Sequence, residues 1–323
     1  MAKQLDLAAP LVAAALDRCR FPDKAVGNRV DCAVSGGADS TALAILAVAA
    51  GFQATLIHVD HGWRADSSDE ADLVRELSVA LDCRFRSERV SVPLGPDLEA
   101  RARRARYGVL PHGVLTGHTL DDQAETILLN LLRGSGLGGL AGMDATAEHP
   151  RRPLLALRRA ETEGVCRAVG VAWLADPSNI DPAHRRNRVR HELVPLVNSI
   201  AERDVAVVIA RQADLLRDDA ALLDDLASDI DPTDARAVAA APVALGRRAL
   251  RQWLTSLDPE RHPPSAATVE RCLAVARNDT QATEIGGGRR LARHQQRLTI
   301  VGVATDQTPD QTPMDQSVIA PVK

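Results

Sequence analysis

Lysine is almost missing from this chain: Lys3, Lys24 and Lys323 are the only ones in 323 residues. None stands in a glycine-rich turn, so a Walker-type loop, whose lysine reaches the β- and γ-phosphates, is excluded and γ-phosphoryl transfer is disfavoured. Aromatic residues are also few, seven in all: Phe21, Phe52, Phe85, Trp63, Trp173, Trp253 and Tyr107. So small a set rules out an extended platform that stacks many bases and leaves room for one or two stacked rings. The five cysteines, Cys19, Cys32, Cys83, Cys166 and Cys272, are far apart and form no C-x-x-C. Neither a zinc knuckle nor a cluster site is spelled out, and reduced, packed thiols are expected. There is no signal peptide and no apolar run near the roughly 18 residues of a membrane span. The expectation is a cytoplasmic protein with no membrane partner.

With 45% hydrophobic and 25% charged residues the chain is long enough for two or three cores. Its net charge of −4 argues against a globally basic nucleic-acid binder, but the charge is unevenly spread. Aspartates such as Asp214, Asp218, Asp219, Asp224 and Asp225 crowd residues 201–234, whereas arginines crowd the last third, Arg289, Arg290, Arg293 and Arg297 among them. A basic surface can therefore exist on an acidic protein.

Between residues 30 and 174, β-like runs (30–34, 54–59, 85–92, 114–117, 171–174) alternate with helical ones (41–50, 66–82, 98–110, 119–132, 160–169). That alternation predicts an α/β fold, a parallel sheet with helices on both faces and a ligand at the carboxyl ends of the strands. A smaller, mainly helical region follows. Its first helical run starts at Arg186 and passes Pro195, which is expected to kink or break it. Three short β-like pieces come late, at 281–285, 289–293 and 297–303. The expected domains are 1–200, 201–304 and a disordered tail, 305–323, rich in Thr, Gln, Asp and Pro.

Two constellations carry chemistry. The first, Ser35-Gly36-Gly37-Ala38-Asp39-Ser40-Thr41, lies between a strand and a helix. Its two glycines let backbone amides at a helix N-terminus approach a phosphate, while Ser35, Ser40 and Thr41 add hydroxyl donors. Asp39 among such groups makes sense if a divalent cation or the loop's amides balance it, which points to ATP with magnesium. Taken alone the turn also reads as a tight strand-helix connection. The second is Thr116-Gly117-His118-Thr119-Leu120-Asp121-Asp122-Gln123-Ala124-Glu125-Thr126. If Thr119 caps a helix, Asp121, Asp122 and Glu125 share one arc with His118 at its mouth, and Leu120, Ala124, Ile127, Leu128 and Leu131 pack on the sheet. Three carboxylates on one stripe need cations, and magnesium and a substrate ammonium group would both serve. A solvated acidic first turn, favoured by the helix dipole, is the bland alternative.

The first loop resembles the PP-loop of ATP pyrophosphatases, which cleave between the α- and β-phosphates. With residues 58–64 (HVDHGWR), 98–107 (LEARARRARY), 117–126, 133–143 (RGSGLGGLAGM), 176–179 and 186–190 (RNRVR) added, the chain from about 30 to 195 resembles the tRNA(Ile)-lysidine synthetases. The resemblance implies a PP-loop domain of the adenine nucleotide alpha hydrolase type. It also implies a two-step reaction in which ATP adenylates the 2-carbonyl oxygen of the wobble cytidine of an isoleucine tRNA with a CAU anticodon, and the ε-amine of free L-lysine then displaces AMP. Residues Ser35 to Thr41 would hold pyrophosphate, His58 would lie in the adenosine pocket, and Asp39 with Asp121 or Asp122 would hold magnesium. Asp39, His118, Asp121, Asp122 and Glu125 would form the catalytic set. Asp122, Glu125 and Arg186 or Arg190 would recognise lysine. Arg103, Arg104 and Arg106 could line the tRNA path or be a solvated face with Glu99 paired to Arg103, and Arg290 and Arg293 are candidates by charge alone. The glycines of 133–143 suit a mobile loop or close packing. Rival readings are a PP-loop tRNA thiolase, an amidating ligase and a non-catalytic ATP-sensing module that binds RNA. The oligomeric state is open, a homodimer included.

Overall fold

The computed structural model describes residues 5–25, 27–60, 67–92, 95, 98–174, 181, 184–258 and 262–302. The expectations for residues 61–64, 176–179 and 305–323, and for the side chain of Glu99, lie outside them. The chain falls into two compact units, Met1–Ala220 and Ala221–Lys323.

The first unit is built on parallel strands β1 (Arg29–Ala33), β2 (Gln53–Asp60) and β3 (Arg84–Arg89), hydrogen-bonded in the order β1-β2-β3. On the free side of β1 the sheet continues through single parallel bridges, Cys32 to Leu115 and Leu115 to Arg151. The spatial order is therefore β3-β2-β1-Leu115-Arg151. Chain order reverses between β1 and Leu115, which makes the carboxyl ends of these two segments the switch point where such sheets bind ligands.

Both faces of the sheet are covered, so its strands carry apolar side chains on each side. Leu56 packs into the cluster shared with α1 (Pro10–Leu16), α2 (Ala38–Ala49), α3 (Ser67–Ala80) and α7 (Arg159–Val169), while Ile57 meets Leu110, Val114 and Tyr107 on the opposite face, beside α4 (Leu98–Val109). Helix α2 is buried almost all round, from Ser40 to Ala47, and its small alanines allow it to lie between the sheet and its neighbour α7. Helix α5 (Leu120–Leu132) and the short α6 (Leu137–Leu140) follow Leu115. The glycine-rich 133–143 segment is tied back to α5 by Gln123, whose amide bonds both N and O of Met143 at 2.7 and 2.8 Å, and by Asn130, which donates to Gly139 O.

Several expectations are corrected. Residues 114–117 make sheet bonds only around Leu115. Residues 171–174 form no strand; the Leu174 amide instead donates to Gly36 O at 2.9 Å. Leu131, expected on the sheet side, is 57% exposed, since α5 has by then run past the core. Pro195 does not break its helical run. Helix α8 (Arg185–Arg188), a π-helical turn Val189–Leu193 and α9 (Val194–Ala201) are continuous, with the proline directly after the π-helical turn. The break comes at Glu202, in the left-handed region at φ 50°, before α10 (Val205–Ser228).

In the second unit α11 (Ala235–Ala240), α12 (Val243–Ser256) and α13 (Ala266–Arg277) pack against an antiparallel sheet of β4 (Ala282–Gly286), β5 (Arg289–His294) and β6 (Arg297–Gly302) around Leu250, Leu273, Leu291 and Leu298. No described helix is long and apolar enough to cross a membrane.

Candidate active site

Strand β1 delivers the chain to the Ser35–Gly37 turn at the switch point. Gly36 has φ +87°, and a Cβ there would meet Leu174 Cδ1 at 3.3 Å, so position 36 suits glycine on both counts. The Ser40 hydroxyl accepts from the Ser35 amide at 3.1 Å and donates to Gly37 O at 3.0 Å. It cinches the loop and is spent doing so. Thr41 is fully buried with its hydroxyl unpartnered, which leaves Ser35 as the exposed hydroxyl of the three expected donors. Gly37 is the N-cap of α2 and no side chain caps this end, so the first-turn amides of Ala38 and Asp39 face the loop mouth. His58 lies buried on β2, next to β1. Its Nδ1 is 3.2 Å from Val34 O, which only accepts, so the ring proton sits on Nδ1 and Nε2 is left as a buried acceptor without a partner.

The second constellation abuts this loop. A Cβ on Gly117 would lie 2.6 Å from Asp39 O and 3.0 Å from the Ser40 amide nitrogen, so only glycine lets the two backbones touch. Thr119 then caps α5 in a capping box with Asp122, whose Oδ2 accepts from the Thr119 amide and hydroxyl at 2.9 and 3.0 Å. His118 Nδ1 is 2.9 Å from Thr116 Oγ1. Burial drives the His118 pKa down to about 3 against the pull of Asp122, with Arg103, Arg152 and Arg186 adding to the drop. Its imidazole is neutral at working pH.

The acids find their cations within the chain. Arg158 Nη2 donates to Asp121 Oδ1 at 2.7 Å and the Arg159 amide to Asp121 Oδ2 at 2.7 Å. Arg158 also pairs with Asp204. Arg159 sits at the centre: Nε reaches Asp39 at 3.3 Å, Nη2 reaches Asp122 at 3.1 Å and Nη1 reaches Glu125 at 3.5 Å. Glu125, its side chain 3% exposed, further receives Arg186 Nε at 2.8 Å and Arg190 Nε at 2.7 Å. Arg186 Nη2 also reaches Asp122 Oδ1 at 3.3 Å.

Burial opposes charge on Asp39, Asp121 and Asp122, but the outcomes differ. At Asp121 the Arg158 hydrogen bonds and Arg159 amide overcome it, and at Asp122 the Arg186 and Arg159 charges do, holding both acids below the usual carboxylate range. Asp39 has only the Thr162 hydroxyl at 2.5 Å and the Arg159 contact to offset burial, and Asp122 adds repulsion, so its pKa is pushed up to about 6.

Arg158, Arg159 and Thr162 were not among the sequence candidates. A signal was there: two arginines opening a helix oppose its dipole and call for acidic partners. Of the arginines proposed for tRNA, Arg103 and Arg104 are exposed, whereas Arg106 is half-buried. In the second unit Arg290 is exposed on β5, but Arg293 donates to Ala276 O at 2.6 Å, Gln295 O and Gln296 Oε1, closing the end of α13. Among the described residues no group of three His, Cys, Asp or Glu side chains could hold a metal ion. Asp39, partly exposed in the first turn of α2, fits a magnesium ion that takes its other ligands from phosphates and water once its contacts with Thr162 and Arg159 give way. Both oxygens of Asp121 and both of Asp122 already accept hydrogen bonds within the chain, so the contacts do not choose between them as a second ligand.

A family described as a PP-loop domain matches residues 13–197. The tRNA(Ile)-lysidine synthase of Nocardia farcinica is 40% identical over 84% of this chain and 91% of its own length. Those of Rhodococcus erythropolis and Thermobifida fusca are 38% and 36% identical, over 82% and 86% of this chain and 86% and 93% of theirs. Likeness held along nearly the whole of each relative, and centred on the PP-loop domain, makes this chain a member of the tRNA(Ile)-lysidine synthase family.

Proposed function

We propose that the chain joins free L-lysine to C2 of the wobble cytidine of an isoleucine tRNA with a CAU anticodon, giving lysidine, AMP and pyrophosphate. The observation that carries this is the contact of Gly117 with the Asp39 backbone, which puts an anion-binding helix start and a cluster of acids into one site at the switch point. The name shared by the relatives supports the choice of substrate.

In the first step the cytidine O2 attacks the α-phosphorus of ATP, the bond to the bridging oxygen breaks, and pyrophosphate leaves. In the second the ε-amine of lysine adds at C2, the C2–O2 bond breaks, AMP departs with that oxygen, and the amine gives up a proton. A pyrimidine oxygen leaves poorly as oxide and well as a phosphoryl ester, so activation precedes substitution. The amides of Gly36, Gly37, Ala38 and Asp39 with the Ser35 hydroxyl hold the pyrophosphate. His58 Nε2, a bare acceptor, suits the exocyclic amine of adenine. Asp39, with Asp121 or Asp122, would hold magnesium, which when bound would neutralise charge on the leaving pyrophosphate. His118 is too weakly basic to take the amine's proton and instead positions the entry to α5.

Lysine recognition falls to Asp122, Glu125, Arg186 and Arg190. In the structure these acids and bases pair with one another. Lysine brings two ammonium groups and one carboxylate, so Asp122 and Glu125 would meet the ammonium groups and an arginine the carboxylate, in place of the partners that are parted. The buried, unclustered thiols of Cys32, Cys166 and Cys272 offer no sulfur relay, which disfavours the thiolase reading. Incubation with CAU-anticodon tRNA, ATP, magnesium and labelled lysine is expected to put label into tRNA with release of AMP and pyrophosphate. Release of ADP would overturn the adenylation step.

A further inference from the structure

The chain's single tyrosine belongs to a row of rings that the reaction above does not use. Tyr107, near the end of α4, carries the Arg103 guanidinium 5.0 Å over its face and meets His149 edge-on at 6.0 Å. His149 in turn stacks on His112 at 5.1 Å, the planes 20° apart. Arg103 and His112 are exposed while Tyr107 and His149 are half-buried, so the row opens to solvent at its two ends.

Arg152 lies alongside, buried, with one Nη on Asp144 O at 3.0 Å and its Nε without a partner. His149 Nδ1 is also buried and unpartnered. Donors and acceptors left like this are costly unless a ligand meets them. The row adjoins the reaction centre: the charges of Arg103 and Arg152 both act on His118, and the carbonyl of Arg151 accepts from the Thr116 hydroxyl that also holds the His118 ring.

Flat π-faces beside guanidinium groups suit nucleotides whose bases are unstacked and whose phosphates are close by, the condition of an RNA loop and not of a duplex. We propose that Arg103, Tyr107, His112, His149 and Arg152 form a stacking and phosphate-contact site for one or two unpaired RNA nucleotides next to the base being modified. The proposal rests on the tRNA reading above and adds Tyr107, His112, His149 and Arg152, which carry no role in it, to Arg103.

The test is fluorescence anisotropy with a CAU anticodon stem-loop RNA, on the intact chain and on the Arg103→Ala, His112→Ala and doubly substituted forms, with ATP affinity measured on the same samples. Both side chains are exposed, and thermal melting checks that the variants fold. The double variant is expected to bind the RNA about tenfold more weakly, as loss of one stacked base and one ion contact implies, with a shallower salt dependence by about one unit. RNA affinity within about twofold of wild type would overturn the site while leaving the lysidine reading intact. A parallel loss of ATP affinity would assign the rings to the nucleotide and overturn it as well. A wild-type chain that does not bind this RNA would remove both readings together.

Discussion

Asp39 is the acid in this site whose charge is in the balance. Burial pushes its pKa up to about 6, whereas at Asp121 and Asp122 arginine contacts overcome burial and lower it. The consequences have opposite signs. Asp121 and Asp122 stabilise the fold fully above the ordinary aspartate value of about 3.9, and that contribution is lost as pH falls through their lower folded values. Asp39, raised in the folded state, is favoured in its protonated form, so ionising it between about 4 and about 6 costs stability as pH rises. Catalysis needs the ionised form. We expect kcat/KM for ATP to fall as pH drops below about 6 and Asp39→Asn to abolish turnover; a profile flat through that range would remove Asp39 from the nucleotide site. Sequence made the acids legible, because a capped, acidic first turn is written in adjacent residues. It did not reveal that Arg158 and Arg159 neutralise them, since Arg158 meets Asp121 across 37 positions of sequence and Arg159 meets Asp39 across 120.

At the scale of elements, a single close approach joins the two motifs. A methyl group on Gly117 would lie 2.6 Å from Asp39 O, and neither partner is a flexible side chain. Gly117→Ala is therefore expected to force β1's loop and the start of α5 apart, lowering stability by about 1–3 kcal/mol and weakening ATP binding more than the stability loss alone explains. Denaturant unfolding and nucleotide titration check it together; unchanged ATP affinity would show that the motifs act independently. Helices were legible at this scale, as at α12 and α13, where apolar residues recur with the helical period. The fourth strand position was legible in the run 114–117, although only Leu115 bridges to its neighbours; the fifth was not, because Arg151 joins the sheet by a single bridge and leaves no alternating run to read.

At the scale of the whole molecule, the basic last third divides into arginines that face outward and arginines that hold the second unit together. Arg290→Glu is expected to weaken tRNA binding and to make it less salt-dependent by about one unit, because an exposed cation on β5 is free to meet phosphate. Arg293→Glu is expected to lower the melting temperature instead, since its guanidinium closes the end of α13. The reverse pattern, with Arg293 affecting RNA and Arg290 affecting melting, would reject this division. Charge counting treated the two alike.

By itself the chain determined the phosphate-binding turn, the capped acidic helix and the alternation that builds a parallel sheet, because each is encoded within a few consecutive residues. Tertiary structure alone decided which charge answers which: Arg159 meets Asp39 across 120 positions of sequence, and Glu125 meets Arg190 across 65. Ion pairing is set by distance in space and by the dielectric of a buried site, and neither is written in local order.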